Sequence, residues 1–246
     1  MKRRRMVVIV PAVIGLALCL GGCELLGIGG SAVSFTASGE GYGELPYAAS
    51  LSFGTAVTVE AWVKLNSYGG WASFVTKGGT AGGEYSLRQD DQGTGHLRFT
   101  INDSDAGTIE VLDSSSVLSL GTWHHVAGTY DGATMAVYID GTLDGTLSTT
   151  TPVVTNTDPL YIGVDFPGAT EYLDGALSEV RVWNVARSAA DIKAAMDTRL
   201  VGTEAGLVVL CHLTDGIGSQ FKESVRGVSG TLSGDYTWAP GPAALP

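Results

Sequence analysis

The chain has 246 residues, 35 of them glycine, with 14 Lys+Arg against 25 Asp+Glu and a formal charge of −11. An acidic balance with no basic stripe argues against nucleic acid and anionic lipid headgroups as partners. Sparse charge, abundant glycine and the lack of long stretches rich in Ala, Leu, Glu and Lys exclude a helical bundle and point to sheets and turns.

Residues 1–22 stand apart from the rest. Lys2, Arg3, Arg4 and Arg5 form a basic start, Met6 to Leu20 is an apolar run too short to span a bilayer comfortably, and Gly21 and Gly22 follow. This is the pattern of a signal peptide. Leu20-Gly21-Gly22-Cys23 resembles a bacterial lipobox, in which the cysteine is acylated and becomes the new N-terminus. Cys23 is therefore the expected lipid attachment, residues 23–32 a short tether, and the expected location the cell envelope, anchored to a membrane and facing the periplasm or the cell surface. Two or more acyl chains give stable anchoring where one is marginal. Removing residues 1–22 takes four of the 14 Lys+Arg and none of the 25 Asp+Glu, so the formal charge becomes 10 minus 25, or −15. Cys19 leaves with the signal, so Cys211 has no intramolecular partner and is expected as a small buried hydrophobe.

From Val33 the chain reads as successive strands. Val33 to Phe35 comes first, then Leu45 to Tyr47, then Val57 to Leu65, which alternates Val57, Val59, Ala61, Val63 and Leu65 against Thr58, Glu60, Trp62 and Lys64. Trp71 to Lys77, Glu84 to Arg88, His96 to Asn102 and Thr108 to Leu112 follow, separated by turns of Gly, Asp and Ser. Between Gly121 and Gly145 two strand-like runs are joined by Asp131-Gly132 and closed by Asp140-Gly141, pairs suited to tight turns with positive φ. Met135, Val137 and Ile139 share one face of the second run. Further strands are expected at Gly145 to Thr149, Leu160 to Val164 and Ala176 to Trp183.

One short helix interrupts the series. Ser188-Ala189-Ala190-Asp191 fits a capping box, and Ile192, Ala195 and Met196 follow at helical spacing. Its expected place is one end of a sandwich. Leu207 to Leu213 and Thr231 to Trp238 return to strand, and residues 238–246 read as a loose, proline-rich tail. No linker divides the strands, so residues 33–237 form one all-β domain, an antiparallel two-sheet sandwich of ten or more strands with one short helix.

Six motifs in order, AVSFTASGEGYGELPYAASLSFG, VTVEAWVKL, GTWHHVAGTYDG, VYIDG, LYIG and YLDGALSEVRVWNVARSAADI, resemble those of laminin G-like jellyroll domains of the concanavalin A-like lectin/glucanase superfamily. The resemblance covers about residues 33–235. His125 to Tyr130 is also similar to the pentraxin signature, with Ala127 where pentraxins have cysteine. It implies a jellyroll, often a calcium site near one rim, and binding of glycans or proteins by loops or a concave face. In the stretch GLVVLCHLTDGIGS, Cys211 and Thr214 stand where relatives usually have an aromatic and an acidic residue.

Catalytic patterns are not found in the sequence. The glucanase arrangement Glu-x-Asp-x-Glu, which puts alternate carboxylates on one strand face, does not occur, and Glu171 and Asp174 would face oppositely if extended. His124 and His125 are adjacent on a strand and face opposite ways, which works against their sharing one metal. Neither a helical histidine pair nor a Gly-x-Ser-x-Gly elbow is present. The expectation is a non-catalytic binding module for glycan or for an envelope or extracellular protein; a glycoside hydrolase or lyase with an unrecognised site, or a structural or adhesive envelope protein, are the alternatives. Exposed aromatics that can lie against sugar faces are expected at Tyr42, Tyr68 and Trp71. Calcium, which takes carboxylate and carbonyl oxygens from loops, has candidate ligands in Asp103, Asp105, Asp165 and Asp174.

Overall fold

A computed structural model describes residues 31–79, 82–103 and 108–245. The signal peptide, Cys23 and Asp105 lie outside the described residues. Their strands are β1 (Ser31–Phe35), β2 (Tyr42–Leu45), β3 (Val57–Leu65), β4 (Ser73–Gly79), β5 (Gly82–Gln89), β6 (His96–Asp103), β7 (Glu110–Val117) and β8 (Trp123–Tyr130). The chain continues through β9 (Thr134–Ile139), β10 (Thr142–Ser148), β11 (Leu160–Ile162) and β12 (Gly175–Trp183). Helix α1 (Ala189–Ala195) precedes β13 (Leu207–Cys211), β14 (Gln220–Glu223), β15 (Val228–Ser233) and β16 (Tyr236–Pro240).

The strands follow one antiparallel path, β10-β9-β8-β3-β12-β13-β14-β15-β2-β11-β4-β5-β6-β7; off it, β1 pairs with β12 and β16 pairs with β1. The path doubles back through β14 and β15, so one layer centred on β3 faces another centred on β4 and β5. Alternation explains the facing. Val57, Val59, Ala61, Val63 and Leu65 of β3 are buried with Val126 and Val137 from one layer and Val75, Tyr85, Leu87, Phe99 and Ile162 from the other. Gly128 is needed where the layers touch, because a Cβ there would lie 2.4 Å from the ring of Phe99. The structure is the expected two-sheet jellyroll sandwich with one short helix. None of the described helices is long and apolar enough to cross a membrane.

The Asp140-Gly141 pair turns between β9 and β10 with φ of 52° and 70°, the conformation of a two-residue primed hairpin turn. Asp140 also reaches back, its Oδ2 2.9 Å from Nδ1 of His124 and its Oδ1 accepting the His125 amide at 2.9 Å. Burial works against ionisation of Asp140, yet these hydrogen bonds hold its carboxyl below the usual aspartate range. His124 thus braces a turn, while His125 is fully buried against Trp62 on the opposite face.

Helix α1 begins with the capping box, Ser188 accepting from the Asp191 amide and Asp191 reaching back to Ser188. It covers the outer face of the β3 layer rather than one end of the sandwich. That face offers what a helix can cover: Ala127, Ala136 and Tyr138 pack against Ile192, and the Trp62 indole N–H donates to the Met196 carbonyl at 2.9 Å. Beneath lies a buried ionic chain. Glu60 meets Arg187 at 2.8 Å, His125 at 3.5 Å and Arg181 at 3.9 Å; Arg181 meets Glu179 at 3.0 Å, and Glu179 meets His212 at 2.5 Å. Burial opposes the charge on Glu60, but His125 and Arg187 hold its carboxyl below the ordinary value.

Several strand boundaries differ from the sequence reading, three of them with consequences for the packing. The second strand is Tyr42–Leu45, so Tyr47 lies beyond it. The run Thr231 to Trp238 is broken by Gly234, at φ 67°, into the end of β15 and the start of β16. Residues 238–240, expected in the loose tail, pair with β1 in β16, and Leu245 is buried. Proline is tolerated there because Pro240 is the last residue of a strand paired with β1.

Candidate functional site

The outer face of the second layer carries the side chains that alternate with its core residues. Register places Glu44, Tyr161, Thr76, Ser86, Thr100 and Val111 in one row across β2, β11, β4, β5, β6 and β7. Toward one end of this face Arg88 of β5 stands directly opposite Arg98 of β6, which stands opposite Asp113 of β7. Loop 66–72, between β3 and β4, lies at this end.

That loop is held at several points. Tyr68 donates its hydroxyl to the Leu118 carbonyl at 2.8 Å, and its ring lies on Gly95, where a Cβ would come within 2.5 Å. The Trp71 amide donates to the Asp90 carbonyl at 3.0 Å, and Asp90 itself gathers the amides of Thr94 and Gly95 and the Thr94 hydroxyl. Trp71 adopts a φ of 65°, unusual for a side chain of its size. Such backbone strain is kept only where the surroundings fix it.

The result is an indole set on two cations. The guanidinium carbons of Arg88 and Arg98 lie 4.7 Å and 5.1 Å from the Trp71 ring centre. Both arginines rise from the same sheet face, so they meet the ring from the sheet side, and Trp71 remains 36% exposed. Each cation is anchored in turn. Arg98 makes a forked pair with Asp113 at 2.6 and 2.8 Å and reaches Asp91 at 3.0 Å, and the Asp113 hydrogen bond holds its guanidinium pKa above the usual value. Arg88 lies 3.7 Å from Asp165. Cation–π contact of this kind contributes about 0.5–2 kcal/mol and orients the ring.

Tyr42 belongs to a neighbouring cluster. Its ring lies 6.3 Å from Tyr161 and 6.4 Å from Tyr172, in the group that also holds Val164 and Phe166. Burial, with Glu44 and Asp158 nearby, pushes the Tyr161 hydroxyl up to about 12. Loop 163–174 joins the two groups, since it supplies Phe166 and Tyr172 on one side and Asp165 on the other. The structure therefore brings Tyr68 and Trp71 to one loop and sets Tyr42 farther along the same rim, half-buried among tyrosines.

Asp165 faces Arg88, a cation already present, and Asp174 accepts from Asn66 and Ser67 at 3.2 and 2.6 Å. Asp103 ends β6 opposite Gly83. Among the described residues no group of three His, Cys, Asp or Glu is placed to hold a metal. Arg88, Arg98, Asp91 and Asp113 were not signalled as site residues by the sequence; the only trace was the alternation of Arg88, Arg98 and Asp113 within β5 to β7.

An antiparallel sandwich with its braced aromatics on one loop-lined rim has the architecture of a lectin-like module. The chain belongs to the concanavalin A-like lectin/glucanases superfamily: a laminin G-type family model of that description matches residues 37–193. Comparison with curated proteins gives no match. Among solved structures, a candidate carbohydrate-binding protein from Bacteroides ovatus is similar over 89% of this chain and 62% of its own, at 23% identity and a TM-score of 0.70. The chain thus spans less than two thirds of that protein. The heptameric SAP-like pentraxin of Limulus polyphemus is similar over 87% of this chain and 97% of its own, at 16% identity and a TM-score of 0.60. The binding domain of a paraclostridial mosquitocidal protein is similar over 63% of this chain and 40% of its own, at 15% identity and a TM-score of 0.50. These likenesses concern the fold.

Proposed function

We propose that this protein is a non-catalytic glycan-binding module, tethered to the cell envelope by a lipid on Cys23. The observation that carries the reading is Trp71: a large apolar ring, part exposed, held at a strained φ on two anchored arginines. A ring fixed in this way loses little freedom when a sugar face lies on it, so less of the interaction is spent on ordering. Tyr68, 37% exposed on the same loop, and the Asp165–Arg88 and Asp91–Arg98 pairs supply polar partners for sugar hydroxyls around it. The resemblance to a candidate carbohydrate-binding protein supports the same class of ligand. The sequence Leu20 to Cys23 supports the lipid anchor.

The test is a glycan array probed with the full-length protein in a non-glycosidic detergent, with and without calcium. A glycan retained by the wild type and lost by Trp71→Ala supports the rim. Retention by Trp71→Ala at full strength removes Trp71 from the site. Calcium assistance, which the family resemblance implies, predicts signal that disappears with chelator; signal unchanged by chelator refutes it.

A further inference from the structure

A groove of about 350 Å³ crosses the outer face of the other layer, on the side of the sandwich away from Trp71. Its floor is one register row: Thr129 of β8, Ala136 of β9 and Thr146 of β10 stand directly opposite one another, with Tyr138 two residues along β9. Leu143 and the chain at 186–188 form its sides, and Asp131 and Thr134 close one end. The chain at 186–188 leads into α1, which lies close against the same hairpin: a Cβ at Gly141 would come within 3.0 Å of Lys193.

The groove is lined by hydroxyls that the protein itself leaves unspent. Those of Thr129, Thr134, Tyr138 and Thr146 have no hydrogen-bond partner among the described residues, and although Thr129 and Tyr138 are largely buried their hydroxyl oxygens are reached by solvent, so each is open to water or to a ligand hydroxyl. The charged groups nearby are already engaged. Arg187 donates to Glu60 at 2.8 Å and to the Asp191 carbonyl at 2.8 Å, and lies 4.2 Å over the Trp183 ring. Asp131 spends Oδ1 on the amides of Ala133 and Thr134.

We propose that this groove is a second saccharide site, independent of the Trp71 rim, for a neutral mono- or disaccharide or the end of a neutral chain. Four unpartnered hydroxyls around one tyrosine ring, with Ala136, Leu143 and Ala186 between them, match a ligand that carries many hydroxyls and apolar C–H faces. The Asp131 carboxylate and the neutralised Arg187 disfavour an anionic sugar. The volume lies at the low end of the roughly 300–1,000 Å³ of small-molecule sites, which fits a short ligand. Two sites on opposite faces would let one tethered protein hold two strands, or one strand twice, with a gain in avidity.

The experiment uses the full-length Trp71→Ala protein in a non-glycosidic detergent, so that the rim does not contribute. Maltose, cellobiose and lactose are each titrated by saturation-transfer NMR, beside glucuronate as the anionic control. At least one neutral disaccharide is expected to give saturable transfer, weakened at least tenfold by Thr146→Trp, which fills the groove from a half-exposed position, and reduced by Tyr138→Phe, which removes one hydroxyl and keeps the ring. Melting temperatures of both variants check that they fold. The proposal is overturned if none of the three disaccharides gives transfer, if transfer survives both substitutions unchanged in folded protein, or if glucuronate binds and the neutral sugars do not. The rim reading survives or fails separately, since it rests on Trp71 in the wild-type chain.

Discussion

Replacing Gly128 by alanine tests how closely the two sheets are pressed together. A Cβ there would lie 2.4 Å from Cδ2 of Phe99, 2.5 Å from its Cγ and 3.0 Å from its Cβ. Carbon atoms prefer about 3.5–4.0 Å, so one partner must retreat by roughly 1 Å. Phe99 has little room to do so, being fully buried on β6 with Leu87 and Leu112 directly beside it on the neighbouring strands. Overpacking a close-packed core costs about 1–3 kcal/mol, and the absence of slack places this substitution at about 3. Gly128 lies outside the positive-φ region, so alanine recovers about 0.4–1 kcal/mol through the unfolded chain, too little to change the sign. The net loss of about 2–3 kcal/mol corresponds to a fall in Tm of roughly 4–12 °C for a domain of this size, readable by scanning calorimetry. Phe99→Leu placed on the Gly128→Ala background should return part of the loss, giving a coupling energy between the sheets. A Gly128→Ala protein that melts within about 1 °C of wild type, or strictly additive losses in the double variant, would refute this packing.

Three further outcomes are expected. The carboxyl of Glu60 is held below its ordinary value, so its contribution is full above that ordinary range and is lost as pH falls through the lowered folded value. The stability gap between wild type and Glu60→Gln, measured by urea unfolding, should therefore be widest near neutral pH and shrink on acidification; a gap independent of pH contradicts the ionic chain beneath α1. Ser188→Ala removes the side-chain half of the capping box and should cost about 1 kcal/mol in the same assay, with no loss if the cap is idle. Cys211 is fully buried and burial raises its thiol pKa, so it should resist alkylation in the native protein and react once urea is added. Rapid native labelling of Cys211 would contradict its place in the core.

The strands were legible wherever one face is core and the other is not. Val57 to Leu65 and Met135 to Ile139 show this alternation, and the Asp140-Gly141 turn and the Ser188 cap carry their own local chemistry. Strands with weaker signals were missed or merged: Gln220–Glu223 alternates over only four residues, and Gly234 within the Thr231 to Trp238 run gave no clear break between β15 and β16. Partnerships between distant strands were less visible. In the sequence Glu60 is only an alternate of the core residues of its strand; the structure covers that face with α1 and brings Arg187, Arg181 and His125 to Glu60 there. Trp71 was recognisable as a loop aromatic, whereas its seat on Arg88 and Arg98 depends on the β5–β6 register, which a single sequence does not specify. The same holds for Asp165, whose apparent freedom as a loop carboxylate ended at Arg88.

The proposed function places a sugar on Trp71. Its most direct measurement is the affinity of the strongest array ligand for wild-type, Trp71→Ala and Tyr138→Phe proteins, by isothermal titration of the full-length chain. Trp71→Ala is expected to lose at least tenfold in affinity, about 1.4 kcal/mol, with its melting transition still cooperative, and Tyr138→Phe to leave the rim affinity unchanged. Equal affinity for wild type and Trp71→Ala, or no glycan bound by the wild type, would contradict it.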